Sequence, residues 1–117
     1  MVKTHEEIEA AANRCAARSR EDPTFSAPDH LLQSGFDWIE AIKALRLSAG
    51  WSLDDANRAA LAVPGWRLWC ARRVEVDGRC EKMARHYARQ HPDNGFVSEV
   101  GGSVVFHDVP ARRGGVS

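Results

Sequence analysis

The sequence predicts a helix-rich α+β single domain, and three observations carry that reading. Residues 37–62 read as two short helices joined at Gly50, residues 79–90 as a further amphipathic helix, and two β-rich runs around Gly101-Gly102 as a C-terminal β-hairpin. A chain of 117 residues suffices for one domain that buries about two-thirds of its unfolded surface. That domain is expected over residues 1–107, and the Gly/Arg-rich tail 108–117 is expected to be disordered.

Thr4-x-x-Glu7 is a capping box opening an Ala-rich helix over about residues 4–19. Ile8, Ala11, Ala12, Cys15 and Ala16 form one thin apolar side, which packs either lightly on the core or against a second copy of the chain. Residues 21–35 form a connector containing Pro23 and Pro28, in which Ser26-x-x-Asp29 caps one or two turns carrying Leu31 and Leu32.

The central hairpin has the clearest start and stop signals. Asp37 caps its first helix and Glu40, three residues on, completes a capping box. Trp38, Ile42 and Leu45 recur at helical spacing, with Ile39 beside them. Gly50 follows where a left-handed residue is needed, and Trp51 is placed to fold back on Leu45. Ser52 then caps the second helix, with Asp54 and Asp55 in the first turn at the positive end of its dipole. Leu53, Ala56, Ala59, Ala60 and Val63 are its expected buried face, and Pro64-Gly65 ends it.

Residues 66–76 fit two patterns. Leu68, Cys70, Val74 and Val76 alternate as in a strand, whereas Trp66, Trp69, Cys70 and Val74 fit a helix. The expectation is a short helix or turn from Trp66, then a strand near Arg73–Val76 ending at Asp77-Gly78. In helix 79–90, Cys80, Met83, Ala84 and Tyr87 share one stripe, with Arg79, Lys82, Arg85 and Arg89 opposite. The runs FVSEV and SVVFH flank a Gly-Gly pair that permits a tight primed turn.

Sixteen basic and sixteen acidic residues cancel, which argues against a dedicated polyanion binder. The distribution is uneven: residues 1–64 hold seven Lys/Arg against ten Asp/Glu, and residues 65–91 hold seven against three. No apolar run approaches the ~20 residues of a membrane helix, and the polar, acidic start is unlike a secretory signal. Three cysteines, an odd number, suit a reducing compartment, so cytoplasmic residence is expected.

The stretch from Ile42 to Asn57 resembles the C-terminal domain of ribosomal protein L7/L12 and its small bacterial relatives. That pattern runs I-K-x-V-R, three residues, then G-L-x-L-K-E-A-K. Ile42, Lys43, Arg46, Gly50, Leu53 and Ala56 match it, and Leu45 and Asp55 are similar. The resemblance implies a hairpin followed by a strand, a third helix and a final strand, places that Arg73–Val76, Arg79–Gln90 and the strands after Phe96 would fill. The family engages translation factors through lysines that are Asp54 and Asn57 here, while Lys43 and Arg46 remain. No strand precedes the hairpin in this sequence. The same stretch also looks like the opening of a repressor-type helix-turn-helix, with Arg67, Arg72 and Arg73 near the recognition position. A winged-helix variant would use helix 79–90 and the 96–107 hairpin, although that hairpin has no Lys or Arg for phosphates.

Three candidate sites remain. The Arg79, Lys82, Arg85 and Arg89 stripe either grips an acidic partner or phosphates, or is a solvated face. Trp38, Trp51, Trp66 and Trp69 are mostly expected in the core, but Trp66 and Trp69, beside Arg67, Arg72 and Arg73, have the composition of an interface anchor. Cys70, Cys80, His86 and His91 do not match the short ligand pairs of structural zinc sites and read as buried thiols beside ordinary histidines. No nucleophile–base set, phosphate loop or paired carboxylates stands out, so no catalysis, cofactor or metal is expected. The expectation is a non-catalytic adaptor or regulator of a bacterial-type cytoplasmic system, not a membrane protein. Its partner would be another protein with an acidic surface, with nucleic acid as the alternative and a homodimer through the N-terminal helix as a further arrangement.

Overall fold

A computed structural model of the chain describes residues 3–74 and 76–109. It is a helix-rich α+β fold whose elements fall into two compact units dividing between Val63 and Pro64. The first unit contains α1 (His5–Glu21), α2 (Ala27–Gln33), α3 (Trp38–Ala49) and α4 (Leu53–Leu61). The second contains α5 (Pro64–Arg73), α6 (Gly78–Gln90), β1 (Val97–Val100) and β2 (Ser103–Phe106). Among the described residues, no helix is long and apolar enough to cross a membrane.

Capping chemistry sets the helix starts in the first unit. The Thr4 hydroxyl accepts from the Glu7 amide at 3.1 Å, and the Glu7 carboxylate accepts from the Thr4 amide at 3.2 Å. Asp37 and Glu40 make the same reciprocal pair at 2.8 and 3.0 Å. Glu40 does more than cap, because its second oxygen accepts from the Lys3 amide at 2.6 Å. A carboxylate only 5% exposed thereby joins the start of α3 to the residue ahead of α1.

Small residues bring these helices together. Ala11, Ala12, Ala41, Ala44, Ala56 and Ala60 are all buried, and Leu31, Leu45 and Leu61 fill the space between them. The alanine-rich side of α1 packs chiefly on α3. Gly50 ends α3 in the left-handed region, φ 70°, as its position demands. Two expectations change. The buried face of α4 is Ala56, Asn57, Ala60 and Leu61, while Leu53 is 53% exposed, so the helix is turned from the predicted stripe. Trp51 remains 37% exposed although Leu45 is fully buried, so the tryptophan is not tucked into the interior.

In the second unit the expected strand near Arg73–Val76 is absent from the described residues. The α5 helix runs through Arg73, the Val74 amide donates to Cys70 O at 2.9 Å, and the Asp77 amide donates to Arg73 O at 2.7 Å. Those turns satisfy locally the backbone groups a strand would have to offer a neighbour. Glu75 lies outside the described residues, as does 110–117 of the expected disordered tail. Asp77 instead caps α6, which buries Cys80, Ala84, Tyr87 and Ala88. The strands β1 and β2 pair antiparallel from Val97↔Phe106 to Val100↔Ser103, around Gly101 (φ 58°) and Gly102 (φ 83°). Positive φ at both turn residues gives a primed turn that matches the strand twist. The hairpin packs on α6 and α5. Asn94 prepares it: the side-chain oxygen accepts from the Phe96 and Val97 amides, and the nitrogen donates to Val97 O.

Candidate protein-binding surface

The nine residues expected to meet a partner divide into three groups. Trp66 and Arg67 are interior. Trp66 has no exposed surface and meets Trp69 edge-on, ring centroids 5.5 Å apart. Arg67 is 6% exposed, and its Nε donates to His107 O at 2.7 Å while Nη2 donates to Asp108 O at 3.2 Å. Its guanidinium also lies 5.4 Å from the Phe96 ring centroid. Arg67 thereby holds the chain after β2 against α5, and Trp66 is core, so neither presents a surface, which corrects the sequence reading. A helix through Trp66, Arg67 and Cys70 turns all three inward.

Arg85 and Arg89 form the second group. They were expected on an outward cationic side, but both reach one carboxylate on β1. Arg85 Nη1 donates to Glu99 Oε2 at 2.6 Å and to Gly102 O at 3.1 Å. Arg89 makes a two-pronged contact, Nε to Oε1 at 2.8 Å and Nη2 to Oε2 at 2.9 Å. Hydrogen bonds from Arg89, then Arg85, and the charge of both guanidiniums hold the Glu99 carboxyl down to about 2. The same contact raises the Arg89 guanidinium. Glu99 is the hairpin's single acid, and one helical turn separates Arg85 from Arg89. That pattern was the signal for this clasp, and charge counting on the helix alone missed it.

Trp69, Arg72, Arg73, Arg79 and Lys82 are the third group, spread over the end of α5 and the first turns of α6. The Trp69 ring is half-buried and the Arg73 guanidinium sits 4.8 Å from its centroid. Arg72 and Arg73 are exposed, Val76 between the helices is 79% exposed, and Lys82 is exposed on α6. Arg79 faces solvent with Asp77 Oδ1 at 3.5 Å. The bond from the Arg79 amide is the main cause of the lowered Asp77 carboxyl. Among the described residues, no carboxylate lies within ion-pair distance of Arg72, Arg73 or Lys82.

Cys15, Cys70 and Cys80 are free and buried, and burial pushes each thiol up, away from the reactive thiolate. Among the described residues, no group of three or more His, Cys, Asp or Glu side chains is arranged to hold a metal ion. Comparison with known protein families, curated proteins and solved structures finds no match for this chain. The place that the L7/L12-like order would give to a strand after the hairpin is occupied by α5 and its closing turns.

Proposed function

We propose that the protein is a non-catalytic adaptor or regulator of a bacterial-type cytoplasmic system. It binds an acidic surface of another protein through Trp69, Arg72, Arg73, Arg79 and Lys82. The observation that supports this reading most is the Trp69–Arg73 stack, with Arg72, Arg73 and Lys82 exposed and, among the described residues, without a carboxylate partner. Trp and Arg are the side chains that most often anchor interfaces, since a large flat ring and a delocalised cation lose little on desolvation. A face kept only for solubility has no need of a half-buried ring stacked against an exposed arginine.

The test is affinity capture from a bacterial lysate with the full chain and with a Trp69→Ala/Arg72→Gln/Arg73→Gln variant. The variant keeps the fold by circular dichroism and loses the captured protein. Undiminished capture by a folded variant would overturn the proposal. Salt titration separates the nucleic-acid alternative: duplex DNA binding weakens by ~0.9 decades per phosphate contact for each decade of salt. A tryptophan-anchored protein contact is expected to respond much less steeply.

A further inference from the structure

The first unit carries a feature that this function does not use. An open groove of about 620 Å³ runs beside α1, α3 and the Gly50 turn, lined by Ile8, Leu47, Trp51, His5, Lys43 and Arg46, with Gly50 at the turn. Ile8 is buried at its floor, whereas Leu47 is 53% and Trp51 37% exposed. Leaving both side chains in water forgoes part of the stabilisation that burying them would bring. Trp51 could have folded under the turn, yet it stands at the groove wall. Lys43 and Arg46, one helical turn apart, are both exposed. Among the described residues neither has a carboxylate partner, and Arg46 only donates to Trp51 O at 3.4 Å. His5 is paired with Glu9, 3.5 Å away.

We infer that this groove docks an acidic amphipathic helix of another protein. The partner's large apolar side chains enter between Ile8, Leu47 and Trp51, and its flanking carboxylates meet Lys43 and Arg46. The volume lies within the range of ligand sites in general, but the groove is open rather than enclosed, which suits a helix laid into it better than an enclosed small molecule. Charge sets the occupant: among the described residues the two cations along the rim have no carboxylate partner, and a basic or neutral segment would supply none. The inference is independent of the Trp69 surface, which belongs to the other unit, and it gives the adaptor a second docking site.

The probe is a fluorescein-labelled helical peptide with Leu at i, i+4 and i+7 and Glu at the intervening positions, titrated with the full chain by fluorescence anisotropy. A control peptide carries Lys in place of Glu. The acidic peptide is expected to bind and the Lys peptide not to bind. Leu47→Ser, Trp51→Ala and Lys43→Gln/Arg46→Gln are each expected to weaken binding by about tenfold or more. All these side chains are exposed, so circular dichroism and melting should report intact folds, and Leu47→Ser stands in should Trp51→Ala loosen the turn. The Trp69→Ala/Arg72→Gln/Arg73→Gln variant is expected to bind the peptide as the unaltered chain does, which keeps failure of one site distinct from failure of the other. No binding of the acidic peptide, equal binding of the Lys peptide, or affinity unchanged by the groove variants would each overturn the inference. So would sedimentation showing a dimer of the chain that Trp51→Ala dissociates, because the groove would then belong to a second copy.

Discussion

Glu99 shows how much one side chain can organise. It accepts from two arginines of α6 while sitting on β1, so a helix and a hairpin are joined through a single carboxylate. Its carboxyl is held at about 2, below the ordinary carboxylate range. A depressed folded-state value means the clasp contributes fully above the unfolded-state value, and its contribution is lost as pH falls towards about 2. Melting followed from pH 5 to pH 2 is expected to show this loss in the unaltered chain. In Glu99→Gln the decline across that acid window should be shallower, and equal slopes would count against the clasp. Tyr87 makes the opposite case. It is 1% exposed and its hydroxyl has no hydrogen-bond partner among the described residues. Leaving a buried hydroxyl unpaired costs about 1–3 kcal/mol. Tyr87→Phe is therefore expected to raise stability by about 1 kcal/mol in urea unfolding, and a drop of similar size would reveal a partner for the hydroxyl.

Two glycines at element boundaries illustrate how helix ends depend on backbone angles rather than space. Neither has a neighbouring atom that an added Cβ would strike. Gly50 is left-handed at φ 70°, whereas Gly78 opens α6 with no such constraint. Gly50→Ala is expected to cost about 1–2 kcal/mol through backbone strain alone. Gly78→Ala should instead stabilise by about 0.4–1 kcal/mol, because the unfolded chain loses freedom. Thermal melting of the pair checks the opposite signs, and a stabilising Gly50→Ala would contradict the left-handed cap. Caps were legible in the sequence for the same reason: Thr4, Ser26, Asp37 and Ser52 each act on an amide three residues away. The rotation of α4 was not legible. Ala56 and Ala60 fit several stripes about equally, and the neighbours of α4, not its own periodicity, chose Asn57 and Leu61 over Leu53 and Val63. The strand expected at Arg73–Val76 failed similarly, because short apolar alternation fits a helix end as well as a strand and only a sheet partner could have decided for the strand.

For the molecule as a whole, zero formal net charge and a pI near 7.0 remove the mutual repulsion that keeps copies apart. With an acidic stretch at 1–64 and a basic one at 65–91, turbidity of concentrated protein is expected to peak near pH 7 and to fall as salt screens the attraction. Turbidity that is flat across pH 5–9 would refute this. The sequence alone determined the caps at Thr4, Ser26, Asp37 and Ser52, the Gly50 break, the Gly101-Gly102 hairpin and the helix-rich α+β class, because each rests on atoms within a few residues of one another. Only the tertiary structure decided which of the cations are spent. Arg67 is bonded to the chain after β2, and Arg85 and Arg89 to Glu99, whereas Arg72, Arg73 and Lys82 face solvent. Whether an arginine serves the fold or a partner depends on acceptors far along the chain, and their approach is a product of packing that no local pattern encodes.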